Sequence, residues 1–565
     1  MKKILFSALI LFSAPQYLFA QFTDIRIVKE VKVKNKGVVS SAHPLASEAG
    51  AKMLDLGGNA FDAAIATQLA LAVVYPQAGN IGGGGFMIAT TAKGEKISLD
   101  FRETAPAKAS KNMYLDKKGN ANTDLSQNGW LAVGIPGAVA GLFEMHQYAK
   151  LPMETLIQPA IEYAEQGFAI THAEAKLLNY TQQEFKQNNK STTVFTKDTP
   201  WKEGDLLIQK DLANTLRRIQ KKGAKGFYEG KTAELIVAEM KRGGGIISLQ
   251  DLKNYKVKVR KPLTFDYKGL QIVTMPLPSS GGILLAQMLQ MVNLEGFKTS
   301  QINSPQAVQL MVEAERRAYA DRAEYMGDPD FIDDKTEMLI QPEYIKKRFS
   351  NYSPDKATSS SEVGKIITPK KESTETTHLS ILDKEGNAIS ITTTLNGNYG
   401  SKTVVSGAGF LLNNEMDDFS IKPGVPNMYG AVGGEANAIA PGKRMLSSMA
   451  PTVVLKNQKP YIIVGTPGGT TIPTSIFQTL INLIDFKSDA NLAVNSPKFH
   501  HQWLPERVDV EMDFPEYTIK ELEKKNYQFK KRSKIGRTEL IVVDENGNYH
   551  AVADGRGDDS VAVEK

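Results

Sequence analysis

Cysteine is absent from all 565 residues. That excludes disulfide staples, a thiol nucleophile and every cysteine-ligated metal site. Histidine is scarce, with seven residues and no HExxH spacing, so a two-histidine zinc helix is excluded as well. The one adjacent pair, His500-His501, lies in PKFHHQWLP, an extended segment on which neighbouring side chains diverge. A structural role is expected there, and neither a metal nor a cofactor is expected anywhere. Long apolar runs are missing too. Residues 4–14 are too few to span a bilayer, and 60–74 contain Asp62 and read as a buried helix. Charge of one sign is not in excess: 68 Lys and Arg stand against 62 Asp and Glu, too even and dispersed a balance for nucleic-acid binding. The basic cluster at 524–534 reads as a solvated face. What remains for chemistry is hydroxyls, carboxylates, amides and arginine.

A hydrophobic share of 41% and a charged share of 23% fit a soluble globular protein, and the length allows two to four domains. The first 20 residues read as an export signal: Lys2 and Lys3, the apolar run, then small Ala20. Removing them lowers the formal net charge of +6 by two. The mature protein is expected outside the cytoplasm, periplasmic or secreted.

The chain is organised around residues 376–396, TTHLSILDKEGNAISITTTLN. Asp383-Lys384-Glu385-Gly386-Asn387 is turn chemistry, because Asp and Asn tolerate the left-handed region and Gly enters it freely. The β-formers on either side predict strands at 378–382 and 388–395. Before them, 359–375 is a polar linker rich in Ser, Thr and Lys. A hydroxyl residue where a loose linker meets a rigid hairpin can become a new N-terminus. The D-x-x-G-N turn recurs at 544–548. Helices are expected at 46–56, at 60–74 with Asn59 as cap, at 137–148, 155–166, 210–221, 232–242, 282–294 and 305–325. The GNIGGGGF run lacks the Lys-Ser/Thr of a phosphate loop, so close backbone packing is expected of it. Arg102 either clamps a carboxylate or pairs with Glu103.

Together the segments GNAFDAAIA, QAGNIGGGGF, DFRETAPA, TTH at Thr376, TLN at 394–396, LLNNEMDDFS, KPGVPNMYG, LSSMAPT, GTPGGT and FHHQWLP resemble the γ-glutamyltransferase (γ-glutamyl transpeptidase, glutathione hydrolase) family over essentially the whole mature chain. The resemblance implies an α+β N-terminal-nucleophile hydrolase fold, a four-layer αββα sandwich made by a proenzyme that cuts itself in two. By the same resemblance the cut would fall between Glu375 and Thr376, giving a large subunit of 21–375 and a small catalytic subunit of 376–565 that would stay together as a heterodimer. The resemblance implies Thr376 as nucleophile, Thr394 as the hydroxyl orienting it, and the N–H groups of Gly468 and Gly469 as the oxyanion hole. Arg102, Ser447 and Ser448 would receive the substrate α-carboxylate, and Asn396, Glu415 and Asp418 its α-ammonium. The loop 422–434 resembles a lid with Tyr429 as its gate. Glutathione and other γ-glutamyl compounds would be donors, and water, amino acids or dipeptides the acceptors. Once freed, the Thr376 α-amine, with an unperturbed pKa of about 7.7–8.0, serves as general base to its own hydroxyl. Two rivals remain: an acylase or poly-γ-glutamate hydrolase of the same fold, and an uncleaved binding protein for γ-glutamyl peptides.

Overall fold

The computed structural model describes residues 22–23, 25–298, 301–364 and 376–565. The expected leader and Glu375, where the cut is expected, lie outside the described residues. The central hairpin is formed by Thr377–Leu382 and Ala388–Thr394, in register from Leu382↔Ala388 to Thr377↔Thr393. Its turn closes on one carboxylate. Asp383 accepts from the backbone N–H of Glu385 and of Asn387, both at 2.9 Å, and from Asn387 Nδ2 at 2.7 Å. Asp544 repeats all three bonds with Asn546 and Asn548. The sequence echo is one local device used twice.

The hairpin sits at the centre of a seven-stranded antiparallel sheet. Its order is Ser560–Val563, Val38–Ser41, Thr377–Leu382, Ala388–Thr394, Gly84–Thr90, Lys96–Asp100 and Lys258–Arg260. A second seven-stranded sheet runs Glu30–Lys34, Asn548–Ala553, Glu539–Val543, Lys459–Gly465, Thr452–Lys456, Leu270–Thr274 and Leu263–Tyr267. Each sheet takes strands from before and after residue 376, so the two portions of the chain are interleaved.

The two-residue pleat sorts the hairpin's faces. Leu379, Ile381, Ile389 and Ile391 join one apolar core with residues of the helices Pro44–Asp55, Ala60–Val74 and Met153–Gln166. Ser380 and Ser390 alternate with them and bond across to the second sheet, donating to Glu539 O and Val464 O at 3.0 Å each. The second sheet shares a further core with the helices Gly281–Glu295, Pro305–Tyr325 and Thr471–Ile484. The layers are therefore helix, sheet, sheet, helix, as expected.

Ala60–Val74 is entirely buried and starts at an Asn59/Asp62 capping box. No helix among the described residues is long and apolar enough to cross a membrane. The glycine run allows close packing: a Cβ on Gly83 would stand 2.0 Å from Thr394 O, and one on Gly85 2.4 Å from Thr392 O. Of the helices that escape the sequence reading, the two longest are His172–Gln187 and Thr471–Ile484. The second begins directly after Gly468-Gly469, where the glycines read only as a turn.

Candidate active site

Strand register brings two hydroxyls together. Beyond the pair Thr377↔Thr393, the next opposed positions are Thr376 and Thr394, on the face turned toward the second sheet. Their Oγ atoms are 3.4 Å apart, and both residues are buried. Thr394 Oγ accepts from Asn396 N–H at 2.8 Å, which leaves its proton available to Thr376. Asn396 takes a left-handed backbone, φ +77°, and its Nδ2 donates to Asn414 O at 3.0 Å. The chain thereby leaves the strand beside Thr376.

One cavity joins these residues to the others expected at the site. Its wall contains Thr376, Thr394, Asn396, Arg102, Glu415, Asp418, Tyr429, Ser447, Ser448 and Gly469. Gly468 is the one expected residue outside that wall, one position behind Gly469. Both glycines have positive φ, +138° and +56°. They precede the helix Thr471–Ile484, whose first-turn N–H groups point out of its N-terminus. A Cβ on Gly469 would lie 2.4 Å from the Tyr429 ring, so only glycine lets Tyr429 rest on this turn. Tyr429 OH in turn donates to Asn396 O, which holds the loop 422–434 beside the hydroxyl pair. Asn427 Nδ2 to Asp418 at 3.0 Å and Met428 N–H to Asp417 at 2.7 Å pin the same loop.

The Arg102 side chain settles the pairing left open by the sequence. Glu103 is 3.8 Å away and makes no hydrogen bond to it. Instead Arg102 donates to Glu415 through one Nη and to Asp418 through the other, the latter at 2.5 Å. Burial works against the guanidinium charge, yet the carboxylates of Glu415, Asp418 and Glu103 push its pKa up. Burial also raises the carboxyls of Glu415 and Asp418, with Arg102 opposing. One guanidinium cannot neutralise three buried carboxyls. Burial pushes Glu103 up to about 8, so it keeps its proton at neutral pH, and burial drives Glu415 well above the ordinary carboxylate range too.

Ser447 and Ser448 face the cavity from a stretch held by Ser280, whose N–H and hydroxyl donate to Ser447 O at 2.8 and 2.7 Å. Ser447 Oγ accepts from Met449 N–H at 3.1 Å. The histidine pair diverges. His500 bridges Thr474 at 2.9 Å and Gln502 at 3.0 Å, while His501 Nδ1 accepts from Trp503 N–H at 3.1 Å. Burial lowers the His500 pKa to about 4, so the ring is neutral. Gln502 Oε1 also accepts from Thr470 Oγ at 2.5 Å, which makes this segment a support for the turn at Gly469.

Sequence reasoning missed three polar residues in the wall: Arg322, Asn427 and Thr470. Asn427 lies inside the loop 422–434, two positions before Tyr429. Arg322, in AERRAYADRAEY, carries no local signal, because a charge within a helix ordinarily reads as a solvated face.

The gamma-glutamyltranspeptidase family model matches residues 46–564. A glutathione hydrolase proenzyme of Escherichia coli is 43% identical over 531 residues, 94% of this chain and 92% of its own length. The solved Helicobacter pylori gamma-glutamyltranspeptidase is 45% identical, with a TM-score of 0.55 over 60% of this chain and 96% of its own. A cephalosporin acylase from Bacillus halodurans aligns with a TM-score of 0.84 at 27% identity, over 98% of this chain and 99% of its own. With its paired threonines, its charged clamp and these likenesses over nearly its full length, the chain belongs to the gamma-glutamyltranspeptidase family.

Proposed function

We propose that the chain is a self-processing γ-glutamyl acyltransferase and glutathione hydrolase whose nucleophile is Thr376. The observation that carries this reading is one cavity holding two adjacent threonine hydroxyls and a clamp of both charge signs. In the precursor, Thr376 Oγ attacks the Glu375 carbonyl. The C–O bond forms as the C–N bond breaks, and the hydroxyl proton passes to the departing nitrogen. Water then opens the ester, leaving a carboxylate on Glu375 and a free amine on Thr376. The products are a large chain ending at Glu375 and a small chain beginning at Thr376, held together by the interleaved sheets.

A γ-glutamyl group is a zwitterion at the end far from its scissile bond. Its ammonium replaces the Arg102 guanidinium as partner of Glu415 and Asp418, beside the Asn396 amide. Its carboxylate takes the freed guanidinium, with Ser447 and Ser448 as further donors. Net charge in the cavity does not change, which avoids the cost of burying an uncompensated ion. The Thr376 amine accepts the hydroxyl proton, Oγ attacks the δ-carbonyl, and the N–H groups at Gly468 and Gly469 receive the oxyanion. The protonated amine gives its proton to the leaving amine, and water or an amino-acid amine resolves the acyl-enzyme. Tyr429 over the hydroxyl pair favours small peptides such as glutathione over polymers. An acylase acting on a substrate without an α-ammonium has no use for Asn396, Glu415 and Asp418 together. With its leader removed, the enzyme works in the periplasm or outside the cell.

The test is purification followed by N-terminal sequencing and product analysis with glutathione, with and without a dipeptide acceptor. Two chains, the smaller beginning at Thr376, and release of glutamate or a γ-glutamyl dipeptide are expected. A single intact chain that binds glutathione without turnover refutes the enzyme reading.

A further inference from the structure

Five arginines are buried among the described residues: Arg102, Arg316, Arg317, Arg322 and Arg444. Four of them face a carboxylate. Arg102 meets Glu415 and Asp418, Arg316 meets Glu506, Arg317 meets Glu313 at 2.6 Å, and Arg444 meets Asp100 at 3.1 Å. Arg322 has no carboxylate at ion-pair distance among the described residues. Its bonds go to two serine hydroxyls, from Nε to Ser280 Oγ at 3.0 Å and from an Nη to Ser448 Oγ at 3.3 Å. A guanidinium stays protonated in proteins, so a full positive charge is buried here with no counter-charge in contact. It lines the same cavity as Thr376 and Arg102. Burial holds its pKa down; Tyr319 and Asp418 favour the charge and Arg102 opposes it.

The hydrogen bonds have a direction that matters for a ligand. Ser448 Oγ accepts from Arg322, so its own proton is turned to another acceptor. Ser280 Oγ accepts from the same guanidinium and donates to Ser447 O. Ser447 Oγ is likewise an acceptor, from Met449 N–H. Both cavity serines thus have a lone pair occupied and a proton to give. That polarity suits an acceptor-only group such as a carboxylate.

We infer that Arg322 is a specificity-determining positioning residue for the α-carboxylate of the γ-glutamyl group: it polarises Ser448 as a donor and supplies the second positive charge facing that carboxylate, opposite Arg102. The inference rests on the γ-glutamyl reading of the cavity and deepens it. It also gives the Arg322 guanidinium a carboxylate in direct contact, which it lacks until the substrate enters.

The experiment compares kcat/KM of the processed two-chain enzyme on a γ-glutamyl anilide and on the 4-aminobutyryl anilide, which keeps the ammonium and lacks the carboxylate. Arg322→Gln is expected to lose about tenfold or more on the first substrate, mainly through KM, because a charged group no longer faces the carboxylate. The loss on the second is expected to stay within about threefold, since that substrate never used the charge. Equal losses on both substrates, or none on either, overturn the inference and leave Arg322 a structural cation. If Arg322→Gln remains unprocessed, Arg322→Met carries the same comparison, since it keeps an unbranched side chain and removes the charge. An unchanged substrate ratio in Arg322→Met then overturns the inference. Wild-type enzyme that uses both anilides equally well counts instead against the γ-glutamyl reading itself.

Discussion

Asp383 and Asp544 close the same turn in different surroundings, and that difference predicts how much each contributes. Asp383 is buried, and besides its three turn bonds it accepts from Ala60 N–H at 2.9 Å, at the first residue of the helix Ala60–Val74. In Asp383→Ala, the N–H groups of Ala60 and Asn387 and the Asn387 side-chain amide are left buried without their acceptor, while the exposed Glu385 finds water. At about 1–3 kcal/mol for each buried unsatisfied donor, the loss should be about 3–9 kcal/mol. Asp544→Ala breaks the matching turn bonds at a half-exposed site where water replaces them, so a clearly smaller loss is expected. The assay is urea unfolding of the processed enzyme, wild type against each variant. The turn lies about 20 Å from Thr376 along six strand residues, so kcat of folded Asp383→Ala should match wild type. Equal midpoint shifts for the two variants would refute the argument from burial. A collapse of kcat in folded Asp383→Ala would refute the claim that the turn acts only on stability.

Three more outcomes follow from the site. Thr376→Ala should leave one uncut chain on a denaturing gel, and efficient cleavage in that variant would sink the nucleophile assignment. Arg102→Lys should lose tenfold or more in kcat/KM on γ-glutamyl substrates, since it removes one or more charged bonds of about 1.5–3 kcal/mol each; a proportionate loss on the 4-aminobutyryl analogue would mean a folding role instead. Glu103 is held protonated by burial, with its pKa raised to about 8. Its contribution to stability is therefore present below the ordinary carboxylate range and lost as pH rises through about 8. Glu103→Gln, which mimics the protonated form, should flatten the fall in Tm between about pH 4.5 and 8; a slope unchanged from wild type would show that Glu103 is not the group responsible.

What the sequence determined by itself is whatever closes within a few residues. The hairpin at 377–394 was legible because Asp383, Gly386 and Asn387 satisfy their turn locally, and its register then follows by counting outward from the turn to Thr376 and Thr394. Ala60–Val74 and Pro305–Tyr325 were legible because Asn59, Asp62, Ser304 and Pro305 cap them from adjacent positions. The glycine run could be read as close packing, though not against which strand. Family resemblance supplied the site residues that no local pattern marks. Tertiary structure alone decided how the buried charges are shared. Arg102 could have paired with its neighbour Glu103, yet its partner Glu415 lies 313 positions away. Arg322 looks like one more helix charge until the fold buries it against Ser448, 126 positions on. A buried ion takes its partner from whatever segments the packing brings within about 4 Å, where low dielectric makes every contact decisive, and that neighbourhood exists only after the two sheets have closed over each other.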